Sequence, residues 1–467
     1  MRCRPLALAL SIALLPAAVQ AEDLIQTYQL ARVSDPQLAA AEAGQRATAE
    51  GQVQTRAQML PQVSGSLGAS RSRTTSDSGD AQYDPVTGVL TAGGERTSTT
   101  DSVSGRVSAN QMVWDPTLLS QHKSQKLLTR AGELQLDSTS NQLITRTSQA
   151  YFNVLVALET LAAAEAQEAA LKKQFDFASK RLEVGLAPIT DMHEARAQYE
   201  AARANTILQR NALEDTYQAL AEITGQPVRS LMGLPDDFKP ELPAAGGADE
   251  WVQRAIENNP ALAAQTVRVA SAEQNISTAR AGYLPYLYAN AGYSRSRNDT
   301  DGHQAGINFN SDSTSYGPSI GLTLSVPIFN GFATSSRVRQ AVANRDVAQD
   351  QLEQQKRALE RNTRNAYQSL SAGISAVEAR RLALVAAQSA YDASQVGLEV
   401  GTRTVIDVLL NQQALFNAQQ AYSLAKYNYL QYRLLLEQAA GTLNIDDLQD
   451  VNRQLTVQAG QVPRIRD

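Results

Sequence analysis

The chain has 467 residues, a formal net charge of -5, 43% hydrophobic residues and one cysteine, Cys3. The mild acidity gives no reason to expect nucleic-acid binding, a lone cysteine cannot build a disulfide framework, and the length allows two or three ordinary domains. No segment reaches the roughly 18 apolar residues of a membrane-crossing helix, so entry into a bilayer would require a β-barrel.

Residues 1–21 place Arg2 and Arg4 before an apolar stretch, Leu6 to Leu15, and end on Ala-Val-Gln-Ala, the pattern of a signal peptide cut before Glu22. Cleavage would remove Cys3, which precedes the apolar stretch and so is not placed for lipid anchoring, and would leave a charge of -7.

The rest of the chain repeats itself. Ala31, Pro36, Leu60-Pro61, Gly68 and Ser70-Arg71-Ser72-Arg73 recur 224 residues later as Ala255, Pro260, Leu284-Pro285, Gly292 and Ser294-Arg295-Ser296-Arg297. Leu182-Glu183-Val184-Gly185, Asp191 and Gly225 recur 216 residues later as Leu398-Glu399-Val400-Gly401, Asp407 and Gly441. The first structural repeat is 22–225 and the second 251–441, with a Pro- and Gly-rich linker at 226–250 and a tail at 442–467.

Each repeat opens with a helix started by Asp35-Pro36 or Asn259-Pro260 and stopped at Leu-Pro. Two strands follow, 63–73 and 103–113 in the first repeat and 286–297 and 319–329 in the second, where Ile320, Leu322, Leu324 and Val326 alternate with small residues. The polar segments Thr74 to Ser102 and Asn298 to Tyr316 read as long loops joining the strands. Helical hairpins then cover 117–224 and 333–440, each with a proline-free arm of about 65 residues, near 100 Å long. Gly185 and Gly401 end these arms, and alanine, abundant along them, permits close packing.

Four strands of this length suit a membrane but cannot close a barrel, so copies of the chain must share one. Three copies give 12 strands. Trp114 and Phe329, closing the last strand of each repeat, are candidate membrane-interface aromatics. Catalytic patterns are weak. Gly317-Pro318-Ser319-Ile320-Gly321 lacks the strand-turn-helix setting of a nucleophile elbow, and His122, His193 and His303 have no metal-ligand spacing.

Val184-Gly185-Leu186-Ala187-Pro188-Ile189-Thr190-Asp191, Val400-Gly401-Thr402-Arg403-Thr404-Val405-Ile406-Asp407, Ala425-Lys426-Tyr427-Asn428-Tyr429-Leu430 and Val326-Pro327-Ile328-Phe329-Asn330-Gly331 resemble segments of the TolC family of outer-membrane efflux and secretion channels. The resemblance spans the mature chain. It implies an α+β membrane protein: a homotrimer with a shared 12-stranded outer-membrane β-barrel, four strands per protomer, and a long periplasmic α-helical barrel. It further implies an exit duct rather than an enzyme, without cofactor or metal, embedded in outer-membrane lipid. Its partners would be a periplasmic adaptor (membrane fusion) protein and an inner-membrane ABC or RND-type transporter. By the same resemblance Thr190, Asp191 and Arg403 form a gate latch and Asp407 the pore constriction, while Gly185, Leu186, Gly401 and Thr402 lie at adaptor-contacting tips. Leu398 stands where well-known members carry a latch tyrosine, and Leu410 where they carry a second aspartate.

Overall fold

The computed structural model describes residues 23–77, 79, 82–91, 95–186, 188–235, 238–241, 246–304 and 307–459. The expected signal peptide, 1–21, lies outside the described residues. In chain order the elements are α1 (Leu24–Ser34), α2 (Pro36–Ala57), β1 (Gln62–Asp77), β2 (Gln82–Asp84), β3 (Val89–Thr91), β4 (Glu95–Trp114), α3 (Pro116–Glu183), α4 (Ile189–Thr224) and β5 (Met232–Gly233). The second half adds α5 (Ala248–Asn258), α6 (Pro260–Ala281), β6 (Tyr286–Gln304), β7 (Ile307–Ser325), α7 (Ala333–Glu399), α8 (Val405–Ala440), α9 (Ile445–Gln454) and β8 (Val457–Gln458). They divide into two compact units: the described parts of Met1–Gly44, Glu133–Ala264 and Glu353–Asp467, and those of Gln45–Gly132 and Gln265–Leu352.

The repeated helix starts share one cap. Asp35 accepts the backbone N–H groups of Gln37 and Leu38, Asn259 those of Ala261 and Leu262, and Asp115 those of Thr117 and Leu118. Each is followed by a proline, whose missing N–H costs nothing at the first helical position. Short helices precede two of these caps: α1, closed by an Asp23–Gln26 capping box, and α5. The sequence reading assigned neither, although α5 is amphipathic, with Trp251, Val252 and Ala255 buried, and its first residues lie within the segment read as linker.

In the second unit, β1, β4, β6 and β7 form one antiparallel sheet in the order β1-β4-β6-β7. The strands, of 16, 20, 19 and 19 residues, exceed the expected lengths. The expected loop from Asn298 to Tyr316 is instead mostly paired, from Asn298↔Ser313 out to Gln304↔Ile307. From Thr74 to Ser102 the ladder likewise runs on, through Asp77↔Glu95, with a small β2–β3 ribbon beyond. The polarity that suggested loops belongs to strands holding Thr and Ser pairs across the ladder: Thr75 with Thr97 at 3.1 Å, Thr100 with Thr300 at 3.0 Å and Ser296 with Ser315 at 2.8 Å. At its other end β7 stops at Ser325, short of the expected 329, because Pro327 has no N–H for a ladder.

In the first unit a core around Tyr151, Phe152, Leu155, Leu430 and Leu434 joins the middle of α3 to α8. Tyrosine hydroxyls tie the linker to it. Tyr151 accepts from Met232 N at 2.7 Å and donates to its carbonyl at 3.0 Å; Tyr429 does the same with Glu241, at 3.0 and 2.6 Å. Tyr427 accepts from Leu234 N at 3.4 Å and donates to Glu159 at 2.8 Å, and its burial pushes the phenol pKa upward, so it stays a donor. The tail closes onto the same strap, with β5 pairing β8 and Ala459 N donating to Leu231 O. Lys426, 3% exposed, lies 3.8 Å from Glu159 and over the ring of Tyr422. Arg146 pairs with the buried Asp35 at 2.6 Å.

Candidate gate and pore-lining face

The tips of the two hairpins are built alike. At the end of α3, Leu186 N donates to Arg181 O at 2.7 Å and Gly185 N to Leu182 O at 2.9 Å; at the end of α7, Thr402 N donates to Gly397 O at 2.8 Å and Gly401 N to Leu398 O at 3.2 Å. This paired bonding needs a left-handed residue between its donors, and Gly185 and Gly401 supply it at φ 76° and 77°. Leu186, Gly401 and Thr402 are exposed beside the turn.

Beyond the turns the two tips diverge. Thr404 and Asp407 close a capping box on α8: Thr404 N and its hydroxyl donate to Asp407 Oδ2, each at 2.9 Å, and Asp407 N donates to Thr404 Oγ1 at 3.3 Å. These bonds, the backbone one first, and the Arg403 guanidinium hold the Asp407 carboxyl below its usual pKa. Thus Asp407 caps its helix as well as carrying charge at the tip. On α4 the N-cap is Pro188, which has no side-chain acceptor, and Asp191 meets Thr190 Oγ1 at 3.4 Å.

Arg403 makes no hydrogen bond or ion pair to Thr190 or Asp191 among the described residues of one chain. Its stem lies on Gly397, where an added Cβ would come within 2.6 Å of Arg403 Cγ. The position equivalent to Gly397 in the first repeat is Arg181, whose guanidinium donates to Leu186 O at 3.3 Å. The sequence reading missed Gly397, although a glycine facing an arginine across the internal repeat was a visible difference. Leu398 is half-buried and Leu410 is exposed.

The sheet has two unlike faces. Directly paired residues share a face, and the register places Val63, Leu67, Val103, Val107, Ala109, Ala291, Tyr293 and Ile320 on one side. Leu67 and Ile320 are 93% and 89% exposed in the single chain. Along β7 this face reads Tyr316, Pro318, Ile320, Leu322 and Leu324, an apolar span of about 26 Å at 3.3 Å per residue, which matches the roughly 25 Å band of an outer-membrane barrel. At the Tyr316 end of this band, where Arg295 stands across from Tyr316, the face turns ionic, and beyond it Arg71 is bonded to Asp101 by two 2.6 Å contacts and Arg297 lies 3.3 Å from Asp312. The other face carries Ser64, Ser66, Ser104, Ser108, Ser294, Ser296, Ser315 and Ser319 with Gly68, Gly292 and Gly321.

Trp114 ends β4 and is 43% exposed. Phe329 lies beyond β7, its ring edge-on to that of Phe332 at 5.6 Å, and both are exposed.

The model of the family described as outer membrane efflux protein matches residues 27–226 and 251–442, one match for each repeat. The chain belongs to the outer membrane efflux protein family. It is similar to Outer membrane protein TolC of Vibrio cholerae, 32% identical over 97% of this chain and 98% of that one, and to Outer membrane protein TolC of Escherichia coli, 33% identical over 97% and 89%. Alkaline protease secretion protein AprF of Pseudomonas aeruginosa is 29% identical over 95% and 89%. In fold it matches the crystal structure of the CmeC outer membrane channel of Campylobacter jejuni with a TM-score of 0.74, over 93% of this chain and 90% of that one, at 17% identity, which shows the fold alone. As an outer membrane efflux protein, the chain lies in the outer membrane and serves as an exit duct for efflux or secretion. The apolar face of its sheet is the part suited to lipid.

Proposed function

We propose that three copies of this chain close one 12-stranded barrel, and that their hairpin tips form a gated periplasmic entrance. A periplasmic adaptor and an inner-membrane ABC or RND-type pump would engage that entrance. The observation that carries this reading is the four-stranded sheet: β1 and β7 are its unpaired edges, and its lipid-suited face spans the whole hydrocarbon layer. Bare edge groups in lipid cost several kcal/mol each, so each edge needs a neighbouring chain. Three four-stranded sheets make a 12-stranded barrel, an even number above the eight-stranded minimum with room for an aqueous lumen.

At the entrance, Arg403 retains free donors and Asp191 free acceptor capacity, which supports a latch of Arg403 to Thr190 and Asp191 made when tips gather in the assembly. Asp407 of each copy would ring the axis. No bond-making step is assigned to the chain: Ser319, the serine of the nucleophile-like pattern, sits within β7 and faces Gly292 O at 3.5 Å. Transport energy would come from the pump, and no cofactor or metal is required.

Crosslinking from cysteines placed at Leu186 and Thr402 in the cell envelope tests the entrance. Capture of an adaptor is the expected result. Crosslinks confined to extracellular or lipid species would place the tips elsewhere and defeat the reading.

A further inference from the structure

The serine-lined face of the sheet is almost without charge, and what charge it has is of one sign. Among its described residues the ionic ones are Arg96 and Arg106, whereas every Asp and Glu of the four long strands lies on the other face. Arg106 is exposed, stands directly across from Ser66 and Ser294, and is flanked on its own strand by Ser104 and Ser108. No hydrogen bond or ion pair ties it to a described residue, whereas two of the four arginines on the lipid-suited face, Arg71 and Arg297, are each held by an aspartate. Arg96, ten residues further along β4, is held over the Phe309 ring at 4.5 Å.

We propose that Arg106 makes the barrel lumen an anion-attracting segment, and that multivalent anions such as polyphosphates bind there. The proposal rests on the trimeric-duct reading, which turns one Arg106 into a ring of three guanidinium groups. A barrel of 12 strands falls between the eight whose side chains fill the bore and the 16 or more that leave a wide channel. Serine and glycine keep such a bore open, so a long arginine reaches well into it with no carboxylate nearby to neutralise it. Guanidinium groups bind phosphate oxygens in paired fashion, and rings of Arg mark anion-selective pores.

The test uses the purified full-length channel in planar bilayers, with tripolyphosphate added to each side in turn. Wild type should be blocked from the barrel side. In Arg106→Ser the block should require at least about fivefold more tripolyphosphate, the scale set by water-screened charge pairs. Arg106→Lys should keep most of the block. Equal block of wild type and Arg106→Ser, or no block of wild type, overturns the proposal while leaving the duct intact. A preparation that assembles but conducts no ions overturns the duct reading and the proposal together.

Discussion

Arg403 and Asp407 lie four residues apart on one tip yet are bound very differently. The arginine stem rests in the space left by Gly397, and its guanidinium makes no hydrogen bond or ion pair among the described residues, although its charge acts on Asp407. Its donors are therefore free for a latch, and the half-buried Leu398 offers no second hydrogen bond there. Arg403→Ser is expected to raise the conductance of the resting channel several-fold, measured one channel at a time, whereas a mere surface charge would leave it unchanged. Gly397→Ala should act in the same direction, since the added methyl would displace the arginine stem.

Asp407 has two functions to separate. Its carboxyl is depressed by the Thr404 bonds and Arg403, so what it adds to stability is fully present above the ordinary Asp value of about 3.9 and disappears as the pH falls through the lower folded value. At neutral pH the capping box is thus intact. An asparagine amide oxygen can still accept from Thr404, so Asp407→Asn should hardly change trimer stability, but it removes the charge. The expected outcome is a smaller cation preference in reversal potentials across a salt gradient and weaker block by multivalent cations. Because Leu410 supplies no second acidic ring, the wild-type block should itself be modest.

Among the elements, the described residues of the strap from Val228 to Glu241 have little regular structure of their own and are kept in place by tyrosines projecting from α3 and α8. Tyr151 is completely buried and satisfies both the N–H and the carbonyl of Met232. Tyr151→Phe removes the partner of the N–H and of the carbonyl of the half-buried Met232, for a cost of about 1–3 kcal/mol. Urea unfolding should show that loss, and limited proteolysis should cut the strap sooner than in wild type. Wild-type stability in the variant would mean that water takes over both bonds.

The four long strands show the converse relation of sequence to element. Their Ser, Thr, Asn and Asp content at the outer ends has the composition of a loop, yet hydroxyl and ionic pairs across the ladder keep them as strands well beyond the apolar band.

At the scale of the whole molecule, the sheet with two bare edges and a lipid-suited face is incomplete as a single chain. Native mass spectrometry of the detergent-extracted protein is expected to show a trimer and no folded monomer. A monomer that inserts and conducts would remove the basis for the shared barrel. The core of the first unit is rich in buried polar contacts, among them Lys426 with Glu159 and Arg146 with Asp35. Losing one member of such a pair leaves the other charge uncompensated, which is why these contacts fix how the helices meet more than they add net stability.

The internal repeat, the long helices and their capped turns, and the need for a shared barrel could all be read from the sequence, because each follows from local chemistry. Proline after an acid or amide starts a helix, glycine permits the left-handed turn, and a two-residue alternation marks a strand whatever surrounds it. The tertiary structure decided what depends on residues far apart in the chain: that polar segments pair into strands, that tyrosines from two helices hold the linker, that Gly397 seats Arg403, and that Arg106 shares a face with serines rather than aspartates. In the sheet, register fixes which residues of neighbouring strands meet: a shift of one residue in any strand would exchange its two faces, and nothing local to Arg106 sets Ser66 and Ser294 across from it.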